Sequence, residues 1–180
     1  MIRRVVTLGG PPGSGKSTAG RRAAEALGLE FRSAGELFRA EAARRGMDLE
    51  SFGRFAEAHP EVDASLDRAM QELAVPGRLV EGRVQGPLCR RAGRPVITIV
   101  VTAPEEVRVA RVAGRDGHPP EETRRRLRDR EASEKARYLR FYGIDLDREL
   151  ADLTVDSSRL DAEGVAEAIV AFVRAREAAP

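Results

Sequence analysis

Four short apolar runs punctuate the chain, and helical patterns fill the spaces between them. Val5-Val6-Thr7-Leu8 ends at Gly9, while Leu79-Val80-Glu81, Val96 to Thr102 and Leu153-Thr154-Val155 are each bounded by Gly, Pro or polar turn residues. Runs this short and this apolar predict strands buried on both faces. After the first run, an Ala-rich stretch keeps a helical pattern until Gly28 stops it. Val62, Leu66, Met70 and Leu73 share one helical face behind Pro60, and Val165, Ile169, Phe172 and Val173 share another behind Asp161, a residue suited to an N-cap. With one more strand expected just before Ser33, the alternation predicts a three-layer α/β domain: a central parallel sheet of about five strands between two layers of helix.

Two helical regions exceed a minimal strand-helix alternation. One runs from Glu36 to Leu73, and the other from Glu121 to Tyr142, behind the break Gly117-His118-Pro119-Pro120. They are expected to be insertions, about residues 36–74 and 115–142, within a single domain spanning 1–180. No internal repeat, low-complexity tract or long linker divides the chain.

Composition narrows the setting. The 180 residues are 42% apolar and 33% charged, enough to bury a core without metals or disulfides, and Cys89 has no second cysteine to pair with. No stretch approaches the roughly 18 apolar residues of a membrane helix, so a cytoplasmic protein free of the membrane is expected. Of 31 basic residues only Lys16 and Lys135 are lysines, and residues 108 to 140 hold 11 basic against 6 acidic side chains. Such a local excess suits either a nucleic-acid face or small anionic ligands. With two Tyr and no Trp, platforms for base stacking are scarce.

The strongest chemical signal is Gly10-Pro11-Pro12-Gly13-Ser14-Gly15-Lys16-Ser17, which satisfies G-x-x-x-x-G-K-[ST] between a predicted strand and a predicted helix. The glycines let backbone N–H groups turn towards phosphates, and the helix N-terminus adds positive potential. Lys16 is expected to reach the β- and γ-phosphates, Ser17 to ligate Mg²⁺ and Thr18 to support the α-phosphate. A three-layer P-loop NTPase fold follows, but the loop alone does not name an acceptor.

Further residues do. Ser33-Ala34-Gly35-Glu36-Leu37-Phe38-Arg39, Glu81-Gly82-Arg83 and Arg111-Val112-Ala113-Gly114-Arg115 together resemble nucleoside monophosphate kinases. Ala58-His59-Pro60-Glu61-Val62-Asp63 and the stretch from Arg137 to Asp145 make the pattern similar to archaeal-type cytidylate kinases, over about residues 5 to 175. The resemblance implies an ATP-dependent (d)CMP kinase with a helical acceptor-binding insertion and a short lid. It implies that Arg39 and Arg83 grip the acceptor phosphate, that Arg111 lies against the ATP base, and that Arg115, Arg130 and Arg137 gather around the transferred group. Glu81 would hold the water shell of Mg²⁺, in a place where relatives often carry aspartate. Bacterial cytidylate kinases follow Gly-Arg with an aspartate that reads the cytosine amino group, whereas here Gly82-Arg83 leads into Val84-Gln85. Gln85, or Asp63 and Asp67 four apart on one helical face, could read the base instead.

A monophosphate already carries nearly two negative charges, its second pKa being about 6, so it attacks without a protein base. Catalysis then rests on positioning and charge neutralisation, and His59 and His118 are expected to be a helix-start and a loop residue. Expected partners are ATP and CMP or dCMP, with nucleic acid disfavoured, and the expected state is a monomer. Two other readings stay open: a monophosphate kinase acting on UMP or AMP, and a P-loop ATPase associated with RNA. A GTPase is disfavoured because the strand ending near Thr102 leads into Ala103-Pro104-Glu105, not an Asn-Lys-x-Asp segment.

Overall fold

The computed structural model describes residues 2–179, the side chains of residues 50 and 63 apart. Five parallel strands form one sheet: β1 (Val5–Gly9), β2 (Glu30–Ser33), β3 (Arg78–Glu81), β4 (Val96–Thr102) and β5 (Leu153–Asp156), in the order β2-β3-β1-β4-β5. Register lays Leu8 beside Glu81 and Ser33 beside Glu81, so the carboxyl ends of three strands finish together. In an open parallel sheet that edge is where ligands bind.

Alternation along β1 divides the core in two. Val6 and Leu8 pack with Leu79, Ile97 and Ile99 against α1 (Lys16–Leu27) and α8 (Ala162–Ala178), through Ala19, Ala23, Val165 and Ile169. Val5 and Val80 face the other way, towards Met70, Ala74 and Cys89. Leu8 and Ile169 are fully buried, each stabilising the fold by about 2 kcal/mol. Asp161 caps α8 by accepting from Gly164 N–H at 2.8 Å. Gly20 has no room for a side chain, since a Cβ would come within 2.6 Å of Leu8 and 2.9 Å of Phe31.

The helical region expected from Glu36 to Leu73 is three helices: α2 (Ala34–Arg44), α3 (Leu49–Ala58) and α4 (Pro60–Leu73). Gly46, at φ +67°, breaks the first from the second, and His59 separates the second from the third. These helices have a small core of their own, Ala42, Phe52, Ala56 and Val62 with Phe38 and Phe55 against them. A short helix that the apolar pattern does not announce, α5 (Gln85–Arg91), follows β3. Beyond β4 come α6 (Glu105–Asp116) and α7 (Pro120–Tyr142), the latter 23 residues long and separated from α6 by the left-handed Gly117. Among the described residues no helix is long and apolar enough to cross a membrane.

Candidate active site

The loop between β1 and α1 is shaped by its glycines. Gly10, Gly13 and Gly15 have φ of +135°, +82° and +86°, a region that side chains disfavour, and a Cβ on Gly10 would lie 2.0 Å from the Val101 carbonyl oxygen. The loop's carbonyls are tied down on its outer side. Lys16 Nζ donates to Pro11 O at 3.3 Å, Arg108 Nη1 to Pro12 O at 3.2 Å and Ser157 Oγ to Ser14 O at 2.8 Å. With carbonyls so engaged, N–H groups are left for an anion at the start of α1. The Ser14 hydroxyl is fully buried without a hydrogen-bond partner. Arg111 braces the same loop, donating to Ser157 Oγ at 2.8 Å and Ser157 O at 2.7 Å.

Beside the loop stands Glu81, buried at the end of β3. Its Oε2 accepts from Ser33 Oγ at 2.6 Å and from Ser17 Oγ at 3.2 Å, and its Oε1 lies 3.6 Å from Lys16 Nζ. Burial pushes the Lys16 ammonium below its ordinary value, the Glu81 carboxylate opposes that, and the Arg130 and Arg83 guanidiniums add to it. A partly desolvated cation of this kind gains strongly from an incoming anion.

A cavity of about 480 Å³ opens from this corner towards the helices. Lys16, Glu81, Gly82 and Arg83 line it from the sheet edge, Arg39 from α2, Leu66, Asp67 and Met70 from α4, and Arg130, Glu134, Arg137 and Tyr138 from α7. Lys16, Arg83 and Arg130 gather at the loop end, and Phe38, Leu49, Leu66 and Met70 supply apolar surface. Helix α7 reaches across to α4 and α3: Tyr142 donates to Asp67 Oδ2 at 2.8 Å and Ser133 to Glu57 Oε1 at 2.5 Å.

Among the residues singled out by sequence, Lys16, Arg39, Asp67, Glu81, Arg83, Arg130 and Arg137 therefore line one cavity, with Ser17 against Glu81 and Thr18 exposed one position further along α1. Arg111 stays behind the loop on Ser157, and two others stand apart. Arg115 stands four residues from Arg111 but at the exposed end of α6, where its guanidinium pairs with Asp116 at 2.6 Å. Gln85 is buried beneath Gly82, and its Oε1 accepts from Gln71 on α4, which ties α5 to α4 and keeps the side chain out of the cavity lining. The side chain of Asp63 lies outside the described residues. His59 ends up at the α3–α4 junction, its Nδ1 2.8 Å from Phe55 O and its ring stacked on Phe55.

Sequence reasoning missed Glu134. It is buried, with Oε1 accepting from Arg130 Nε at 2.8 Å and Oε2 3.0 Å from Arg83 Nε. Nothing in its charged neighbours marks it out, because Glu121, Glu122, Asp129 and Glu131 stand on the same helix. The outer arginines of α7 behave differently. Arg124 pairs with Glu105 and Glu106, Arg126 with Glu122 and Arg128 with Glu105, so much of the basic stretch is neutralised on the protein itself. That argues against an open nucleic-acid face there. Among the described residues no three His, Cys, Asp or Glu side chains cluster at metal-binding spacing.

Comparison with known proteins agrees with this arrangement. The family described as AAA domain matches residues 6–149. A cytidylate kinase of Archaeoglobus fulgidus is 40% identical over 175 residues, covering 96% of each chain, and one of Methanopyrus kandleri is 45% identical over 167 residues, covering 88% of this chain and 86% of its own. Shikimate kinase from Acinetobacter baumannii superimposes with a TM-score of 0.62 over 99% of this chain and 97% of its own, and at 23% identity the likeness is one of fold. A loop of phosphate-binding sequence faces an arginine-lined cavity, and at 40–45% identity over most of its length this chain belongs to the cytidylate kinase family.

Proposed function

We propose that the protein transfers the γ-phosphoryl of Mg-ATP directly to CMP or dCMP, yielding ADP and CDP or dCDP. The observation that carries this is the cavity running from Lys16 to Asp67, which joins Lys16, Arg83 and Arg130 beside the loop to the apolar Leu66 and Met70 and the carboxylate of Asp67 on α4. A nucleoside monophosphate has the same two-ended character.

In this reading the loop from Gly10 to Ser17 cradles the ATP phosphates with Thr18 behind it, and Arg111 lies towards the ATP base. Arg39 and Arg83 hold the acceptor phosphate. Arg130 and Arg137 reach the transferred group from α7, and Arg115, paired with Asp116 outside the cavity, takes no part. Bringing two polyanions into line is the main obstacle, and fixed cations in a partly desolvated site meet it.

Magnesium enters with the nucleotide. Ser17 Oγ and the Glu81 carboxylate are oxygen donors of the kind a hard cation takes, and both sit at the mouth of the loop. Ser17 would hold the ion directly and Glu81 through water, and the bound ion would neutralise charge on the phosphates.

Asp67 is an acceptor-only group when ionised, so it favours the exocyclic amine of cytosine and disfavours the carbonyl that uracil carries in its place. Gln85 is buried against Gln71 and is not assigned a role with the base. The enzyme is read as one catalytic unit with α2–α4 as its acceptor-binding part and α7 as its lid, working as a cytoplasmic monomer.

The test is ADP release from Mg-ATP with CMP, dCMP, UMP, AMP and GMP supplied separately, the diphosphate products being identified by chromatography. CDP and dCDP are expected in clear excess. ADP release that ignores the acceptor would reject the proposal and favour an ATPase.

A further inference from the structure

The cations of the cavity come from parts of the chain that are far apart. Arg83 follows β3 on the rigid edge of the sheet, whereas Arg130 rides on α7. A single carboxylate joins them. Glu134, with a side chain 7% exposed, accepts from Arg130 Nε through one oxygen and faces Arg83 Nε at 3.0 Å through the other. Burial favours its neutral form, but the Arg130, Arg83 and Lys16 charges outweigh burial and hold Glu134 below the ordinary carboxylate value, so it stays ionised.

The way the arginines are held matters. A guanidinium offers an Nε edge and a pair of terminal nitrogens, and the terminal pair suits two oxygens of a phosphate. Glu134 accepts a hydrogen bond from Arg130 Nε, and its second oxygen pairs with Arg83 by charge at 3.0 Å, at a geometry that leaves Arg83 Nε and that oxygen without a hydrogen bond. Among the described residues Arg130 makes no hydrogen bond besides that to Glu134 and Arg83 makes none, which leaves the terminal nitrogens of both available. Arg124, on the outside of α7, is spent differently, with both terminal nitrogens donating to Glu106.

We propose that Glu134 is a positioning residue that couples Arg130, through a hydrogen bond, to Arg83, through an ion pair, so that closure of α7 and alignment of the acceptor phosphate become one event. The idea rests on the phosphotransfer reading above and adds to it a residue that need not touch substrate. Without Glu134 the two guanidiniums would repel each other across the cavity, and Arg130 would be free to swing with its helix. Small misplacements of groups that align reactants cost rate heavily.

Glu134→Gln keeps the shape of the side chain and removes its charge. With folding checked by circular dichroism at the assay temperature, its kcat/KM for CMP is expected to fall about 30-fold to 100-fold, while KM for ATP stays within about twofold. In an Arg83→Lys background the same change is expected to add less than about threefold, because the two residues act as a unit. Should Glu134→Gln fail to fold, Glu134→Asp retains the charge but, one methylene shorter, cannot reach both arginines, and an intermediate loss in kcat/KM for CMP is expected. Wild-type kcat/KM for CMP in whichever variant folds, or an equal loss with and without Arg83, would overturn the proposal. If the unaltered enzyme phosphorylates CMP and Glu134→Gln matches it, this inference alone fails; if no monophosphate is phosphorylated, the reading beneath it fails first.

Discussion

In the proposed reading the phosphate loop and the acceptor side of the cavity bind the same kind of charge with opposite means. The loop is eight contiguous residues, Gly10 to Ser17, whose backbone supplies the donors and whose glycines adopt φ values that other residues resist. The acceptor side draws Arg39 from α2, Asp67 from α4, Arg83 from the end of β3, and Arg130 and Glu134 from α7, and it works through side chains alone. Buried carboxylates keep the cations of both in check, Glu81 beside Lys16 of the loop and Glu134 between Arg83 and Arg130. A local segment can build a rigid anion cradle by itself. A site that must open for a substrate and close over it has to be shared between elements that move.

That contrast can be broken most forcefully at the loop. Lys16→Ala should lower kcat by about 100-fold to 1000-fold, as losing a preorganised donor does, with thermal unfolding nearly unchanged because the ammonium is desolvated where it sits. A stability loss that accounts for the activity loss would show Lys16 to be structural.

Arg83→Ala tests the distributed side. Steady-state kinetics should show KM for CMP raised about tenfold or more while KM for ATP moves less than about threefold. A selective ATP defect would move Arg83 to the other substrate.

Smaller again is Asp67→Asn, which exchanges an acceptor-only carboxylate for an amide able to donate. The preference for CMP over UMP should drop by about tenfold, measured as a ratio of kcat/KM values. Tyr142 donates to this carboxylate from α7, so an unchanged ratio would remove base reading from that end of the cavity.

Least of all should follow from Arg115→Ala. The side chain is exposed and paired with Asp116, and surface changes of this kind leave activity within about twofold. A large loss would mean that Arg115 reaches the cavity in a conformation that brings the end of α6 inwards.

How much of this was legible depends on how far apart the cooperating residues lie. The strands at Val5, Leu79, Val96 and Leu153 announce themselves by apolar runs, and the loop by its motif, since each is set by neighbours in sequence. The short helix α5 does not, because seven residues holding Gly86 and Pro87 give no helical period. The acceptor insertion reads as helical, yet its breaks at Gly46 and His59 emerge from packing of its own small core. Arg111 and Arg115 share a helical spacing, but α6 ends at Asp116, which captures Arg115 at the surface. Glu134 was invisible for a different reason. It is one carboxylate on a helix rich in them, and only the fold that brings α7 to the residues following β3 buries it beside Arg83.

The most direct test of the whole account is a competition: the enzyme with limiting Mg-ATP and equal CMP and UMP, the diphosphates quantified by chromatography. CDP is expected to dominate, with ADP formed one for one with diphosphate. Equal CDP and UDP would contradict the assignment of cytosine to the Asp67 end of the cavity, and ADP with inorganic phosphate in place of either diphosphate would contradict phosphotransfer itself.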